Sequence, residues 1–329
     1  MMPFAFQRAT ALADAFAAAA NRGRYVAGGT TLVDLMREGV ETPERLVDIN
    51  ALPLHEIRLR PDHLEIGALA RMAQVAANAD VMRLYPAISQ ALLLSASAQL
   101  RNMASMGGNL LQRTRCPYFR DVTSACNKRE PGSGCPARDG VNRLHAILGT
   151  SEHCVATHAS DVAVALVALD ASVRIASPEG ERRIPLEQFY RVPGDTPHIE
   201  HVLRPGELIV AIEVPAGPHT EQSTYVKVRD RQSYEFAVTS AAVALAVDDG
   251  RILDARVAAG GVATVPWRMR HVEAALIGQP LSASTFRAAA RLSVEGAVPL
   301  TFNAFKIELL PRTLVRALET LETLAVPAL

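Results

Sequence analysis

Four cysteines carry the chemistry most legible in this chain's spacing. Cys116, Cys126, Cys135 and Cys154 fall inside one stretch, 116–154, and no cysteine lies outside it. The intervening lengths are 9, 8 and 18 residues, with no C-x2-C knuckle, which counts against a structural zinc site. Pro117 and Pro136 follow two of the cysteines, as a proline follows one ligand of many ferredoxin clusters. Seven basic residues from Arg113 to Arg143 face only Asp121, Glu130 and Asp139, a local net charge of +4. That excess is expected to stabilise thiolates and lower the thiol pKa values. Two disulfides or four free thiols remain alternatives to an iron–sulfur cluster.

Two glycine pairs suggest anion binding. Tyr25-Val26-Ala27-Gly28-Gly29-Thr30-Thr31-Leu32 delivers two glycines and two hydroxyls from a strand to a helix start. Glycines let a backbone approach a phosphate, and N–H groups and hydroxyls supply donors. Ala104-Ser105-Met106-Gly107-Gly108-Asn109 repeats the theme. Two such turns suit the two ends of a diphosphate; a β-turn with a Thr cap and a tight turn before the cysteines are the plainer readings. In Tyr225-Val226-Lys227-Val228-Arg229-Asp230-Arg231 cations alternate along a strand, by default a solvated face or else a surface for an anionic cofactor or a partner. His153 and His158, which flank Cys154, suggest a zinc ligand set as the alternative to the plainer reading, surface or packing histidines.

The elements that must hold these groups alternate early and segregate late. Helices are expected over Thr10–Asn21 and Leu32–Glu38, with strands at Arg24–Ala27 and Leu46–Ile49. Leu64–Ile66 reads as a strand, Ala70–Ala79 and Pro86–Ala98 as helices, and Met106–Asn109 as a glycine turn. Residues 113–143 lack periodicity, and a stretch of that length is improbable in a compact domain unless something orders it. Ala146–Leu148 reads as a strand, Asp161–Leu169 as a buried helix and Val173–Ala176 as a strand. Four strands follow from Glu207 to Ala258, then three helices from Arg268 to Leu324, the order of an α+β domain.

Composition narrows the classes. The 329 residues carry 34 basic and 34 acidic side chains and are 49% hydrophobic, so no global charge draws the chain to nucleic acid or an anionic membrane. The longest apolar run, Val162–Leu169, is far short of the roughly 20 residues of a membrane span. The first residues lack the basic and apolar regions of a secretion signal, so the expectation is a cytoplasmic chain or one exported as a partner's passenger. No G-x-G-x-x-G follows a strand, and no Walker loop, G-x-S-x-G or H-E-x-x-H is found.

The order A-G-G-T, I-G-A-L (Ile66–Leu69), A-S-M-G-G-N, Ser160-Asp161, Y-V-K-V-R and A-A-G-G-V-A (Ala258–Ala263) resembles the FAD-binding subunits of the molybdenum hydroxylases. The resemblance spans nearly the whole chain. The cysteine stretch is similar to that of flavin subunits from bacterial periplasmic aromatic-aldehyde oxidoreductases, which carry a [4Fe-4S] cluster beside FAD. The implied fold is α+β: a two-subdomain FAD-binding domain over 1–180 (about 1–55 and 56–180, with a cysteine insertion near 113–154), then an α+β domain over 185–329. The implied cofactor contacts are Tyr25, Val26, Ala27, Gly28, Gly29, Thr30, Thr31, Leu32, Val33 and Asp34, then Ser105, Gly107, Gly108 and Asn109. Asp161, Lys227 and Ile209 (or its neighbour Leu208) are implied nearer the flavin ring. Cys116, Cys126, Cys135 and Cys154 would each bind one iron. Leu69-Ala70-Arg71-Met72 departs from the threonines frequent in the family at that loop.

The resemblance implies an electron-transfer subunit of a molybdenum-dependent aldehyde oxidoreductase, with no catalytic residue acting on the aldehyde. The implied partners are a molybdenum-cofactor-binding large subunit and a [2Fe-2S] small subunit, with co-export to the periplasm and the cytoplasm as alternative. A 4-hydroxybenzoyl-CoA reductase-like or xanthine dehydrogenase-like subunit is the alternative within the class. A self-sufficient flavin oxidase and a non-catalytic assembly protein are the alternatives outside it.

Overall fold

The computed structural model describes residues 1–20 and 23–325. Three sheets organise them. The first is parallel: β1 (Ala5–Arg8), β2 (Gly23–Val26) and β3 (Arg45–Asp48), in the order β1-β3-β2. Helices Leu12–Ala20 and Leu32–Arg37 make the crossovers that parallel pairing demands. Asn21, the expected end of the first helix, lies outside the described residues.

The second sheet is antiparallel: β4 (Ile57–Leu59), β5 (His63–Gly67), β6 (Ser172–Ser177), β7 (Gly180–Pro185) and β8 (Leu208–Pro215), in the order β4-β5-β8-β6-β7. The domain boundary expected at 180–185 is therefore corrected. Residue 180 sits at the turn of the β6–β7 hairpin, opposite Ser177, and β8 fills the gap between β5 and β6. The first half runs through β8.

The third sheet holds β9 (Ser223–Val228), β10 (Thr239–Asp248), β11 (Arg251–Gly260) and β12 (Trp267–Arg268), in the order β12-β11-β10-β9. Along β10, Ala241, Val243 and Leu245 join the core under helices Arg270–Leu276, Ala283–Arg291 and Lys306–Ala325. Ala242 and Ala244 join the core of the first half, because successive side chains leave a strand on opposite faces. Helix Asp161–Ala168 lies between these layers, which is why all eight of its residues are buried and its sequence is apolar on every side.

Two further expectations are corrected. Met106–Asn109 is the start of a helix, Met106–Leu110, because Ser105 Oγ accepts the Gly108 N–H and caps it. Ala146–Leu148 forms no strand; Leu148 makes one isolated bridge to Ala263. β1, β4 and β7, which are short and largely exposed, lacked a pattern to announce them.

Candidate cofactor clefts and cysteine cavity

Two glycine motifs meet at one cleft of about 650 Å³. β2 ends at Val26, and the turn after it puts Gly28, Gly29, Thr30, Thr31 and Leu32 on the wall, with Tyr25, Val26 and Ala27 beside them. Gly29 takes φ +71°, a conformation that favours glycine. Ser105 and Gly108 form the facing wall, and residues 203–207 close the side. Thr31 caps the following helix without a side-chain hydrogen bond, so its hydroxyl is not spent on the cap. Tyr25 donates its hydroxyl to the Gly206 carbonyl at 2.7 Å, and burial pushes its pKa up to about 12.

Not every expected contact faces this cleft. Gly107 is buried with its α-carbon against Ala68. Asn109 turns inward: its amide nitrogen donates to Met72 sulfur and its oxygen accepts from Ser160 Oγ at 2.5 Å. Val33 lies on the exposed side of its helix. Ile209 is 2% exposed in the core with Ile66 and Ile212, and Leu203 lines the cleft instead.

A second cleft of about 460 Å³ opens between the cysteine segment, the start of helix Asp161–Ala168 and the third sheet. Asp34 lines it rather than the first, paired with Arg115 (3.2 Å) and Arg120. Asp161 lines it too, but its carboxylate is fully engaged. Oδ1 accepts from Tyr225 OH at 2.6 Å; Oδ2 accepts from Lys227 Nζ at 2.8 Å and Ser95 Oγ at 3.0 Å. Lys227, with a side chain 1% exposed, also donates to the Leu94 carbonyl, as does Arg229. The solvated face expected for Lys227 and Arg229 is thus corrected: the two cations dock on the first half. Burial and the Asp161 charge hold Tyr225 well above the usual phenol pKa.

The second cleft has unspent polar atoms. Arg115 Nε, Arg120 Nη1, His145 Nδ1, His158 Nε2 and Ser240 Oγ are buried without partners, all on residues that line it. Buried polar atoms are nearly always satisfied, so five orphans at one cleft mark a place for a polar ligand. The sequence had marked His158 only for flanking Cys154 and Arg115 and Arg120 only as part of the local basic excess, and had not singled out Ser240, Tyr234 or Phe236, which also line it. His158 Nδ1 accepts the Ser160 N–H, which leaves Nε2 as the donor.

All four cysteines line one small cavity, and all four are free thiols. Among the described residues, the one set of three His, Cys, Asp or Glu ligand atoms within 4.8 Å of one another is His63, Glu65 and Glu213, so no three of the four sulfurs lie that close together. Internal bonds order the segment. Arg129 donates to the carbonyls of Tyr118, Phe119 and Ser124, and Asn127 Oδ1 accepts from Gly132 and Gly134.

Six of the seven local cations pair with carboxylates from elsewhere: Arg113 with Glu41 and Glu200, Arg115 and Arg120 with Asp34, Lys128 with Glu200, Arg138 with Glu152, Arg143 with Asp230. The expected lowering of the thiol pKa values is therefore corrected. Burial dominates, pushing Cys116 up to about 12 and raising Cys135 and Cys154.

Residues 2–217 match the family described as the FAD binding domain in molybdopterin dehydrogenase, and 224–321 the CO dehydrogenase flavoprotein C-terminal domain. The chain belongs to the FAD-binding medium subunits of the molybdenum hydroxylase family. Among its relatives is the aldehyde oxidoreductase FAD-binding subunit PaoB of Escherichia coli (strain K12), 47% identical over 97% of this chain and 98% of that protein. The carbon monoxide dehydrogenase medium chain of Afipia carboxidovorans is 27% identical over 84% of this chain and 81% of that one. A solved carbon monoxide dehydrogenase from Hydrogenophaga pseudoflava shares the fold, with TM-score 0.76, 22% identity and coverage of 98% and 99%.

Proposed function

We propose that this chain is the electron-transferring flavin subunit of a molybdenum-dependent aldehyde oxidoreductase, holding FAD in the two clefts and a [4Fe-4S] cluster on Cys116, Cys126, Cys135 and Cys154. The observation that carries the cluster is the convergence of four free thiols on one cavity. The 47% identity to an aldehyde oxidoreductase FAD-binding subunit supports the reaction class.

Bound FAD supplies a carrier able to pass electrons singly or in pairs, and a bound cluster a one-electron relay. The chain's own residues position and neutralise. Gly28 and Gly29 admit a phosphate to the backbone, with Thr30, Thr31 and Ser105 as hydroxyl donors. Arg115 Nε, Arg120 Nη1 and His158 Nε2–H offer donors to the polar part of a flavin in the second cleft. The Asp161–Lys227 pair locks that cleft's two sides together.

The proposed partners are a molybdenum-cofactor-binding large subunit and a [2Fe-2S] small subunit. The proposed location is the periplasm, reached with a signal-bearing partner; recovery in the cytoplasmic fraction alone would refute that. The deciding experiment is anaerobic purification with assay of flavin, iron and acid-labile sulfide, then EPR after dithionite. The expected result is one FAD with about four irons and a reduced-cluster signal. Flavin without iron would leave an ordinary flavin subunit.

A further inference from the structure

Of the four cysteines, Cys116 alone lines both the cysteine cavity and the second cleft. One side chain touches it in a directed way: His145 Nε2 stands 3.2 Å from Cys116 Sγ. His145 is buried and lines the second cleft as well. Two fully buried residues of the C-terminal half set its place. Lys306 Nζ donates to the His145 carbonyl at 3.0 Å and to the Gly261 carbonyl at 2.6 Å. Asn303 Nδ2 donates to the same His145 carbonyl at 3.2 Å. A buried lysine spent on two carbonyls is costly, and here it anchors one short stretch of backbone.

We propose that His145 is a positioning residue for the Cys116 sulfur, donating Nε2–H to it, and that this sulfur is the edge of the cluster site turned toward the flavin cleft. The inference rests on the cluster reading above. A metal-bound thiolate has no proton to give, so in the loaded site the hydrogen is on Nε2. A hydrogen bond to a ligand sulfur withdraws charge from it and favours the reduced cluster. The other three cysteines make no such contact with a histidine ring among the described residues, so the effect is local to Cys116.

The test is an EPR-monitored redox titration of the assembled complex carrying His145→Phe or His145→Gln. At the wild-type midpoint, His145→Phe is expected to lower the ratio of reduced to oxidised cluster about tenfold, which for one electron is about 59 mV. His145→Gln, which keeps a donor, is expected to restore most of it. An unchanged midpoint in His145→Phe with iron at the wild-type level overturns the inference. A wild-type complex without iron and sulfide overturns the cluster reading itself, a separate outcome. A second measurement avoids any folding defect in the Phe variant: pulsed EPR of wild-type complex with ring-labelled histidine. A coupled histidine nitrogen that vanishes in His145→Gln supports the inference, and its absence from the wild type overturns it.

Discussion

Gly28 and Met103 meet backbone to backbone. A Cβ on Gly28 would stand 1.9 Å from the Met103 carbonyl oxygen and 2.6 Å from its carbon. The two phosphate-type motifs are thus one surface, since Met103 ends the helix just before Ala104-Ser105. Gly28→Ala is expected to cost about 3 kcal/mol and empty the flavin site, because backbone cannot yield as a side chain can. Gly29→Ala, strained by its φ of +71°, is expected to cost only about 1–2 kcal/mol. Thermal unfolding and the flavin-to-protein ratio check both, and an unshifted Gly28→Ala would refute the contact.

Asp161→Asn leaves Lys227 charged, buried and without its counter-ion. Removing one partner of a buried pair costs about 3–5 kcal/mol. Urea unfolding should show a loss of that size, with part recovered when Lys227→Met is added. A loss in the double variant equal to the sum of the two single-variant losses would mean the pair is not coupled.

Arg113 spans Glu41 and Glu200, each at 2.7 Å, and Glu200 also holds Lys128 at 2.9 Å. Arg113→Met is expected to destabilise the protein by about 3 kcal/mol. It should also expose residues 113–154 to protease faster than the rest of the chain. Uniform cleavage would show that the ion pairs do not fasten the segment.

Cys126→Ser removes one of four thiols from the cavity. Iron is expected to fall well below about four per chain. In the assembled complex, a substrate-driven flavin reduction rate that stays at the wild-type value would exclude a relay role for the site.

Burial lowers the His158 pKa to about 4 from the ordinary 6.5. The folded state holds the ring neutral, so its contribution is whole above pH 6.5 and is lost as pH falls toward 4. Replacing it by His158→Gln should flatten the urea midpoint between pH 6.5 and 4 while leaving its slope above pH 7 unchanged.

Much of the scaffold was legible because its patterns are local. Val162–Leu169 is apolar on every side, and such a helix has to be buried; the β10 alternation of Ala241, Val243 and Leu245 against Ala242 and Ala244 is a two-sided strand. The four cysteines announced one site, and one cavity gathers them. What stayed hidden depends on contacts between distant segments. Nothing near Asp161 in sequence says that Tyr225 and Lys227 fill its oxygens, or that Arg115 and Arg120 take Asp34 away from the glycine turn. His145 gave no spacing signal, because its partner Cys116 lies 29 residues upstream across irregular chain.

β8 has a consequence for how the chain folds. It pairs with β5 along His63–Gly67 and with β6 along Ser172–Ala176, so each of these strands lacks its second neighbour until residues 208–215 arrive. During synthesis the flavin-binding half therefore stays open: the β5 edge waits through about 140 further residues, and the β6 edge through about 30, before β8 begins. A fragment ending at 185 would carry those bare edges permanently and invite self-association rather than cofactor. The smallest separable flavin-binding unit of this protein extends past Pro215.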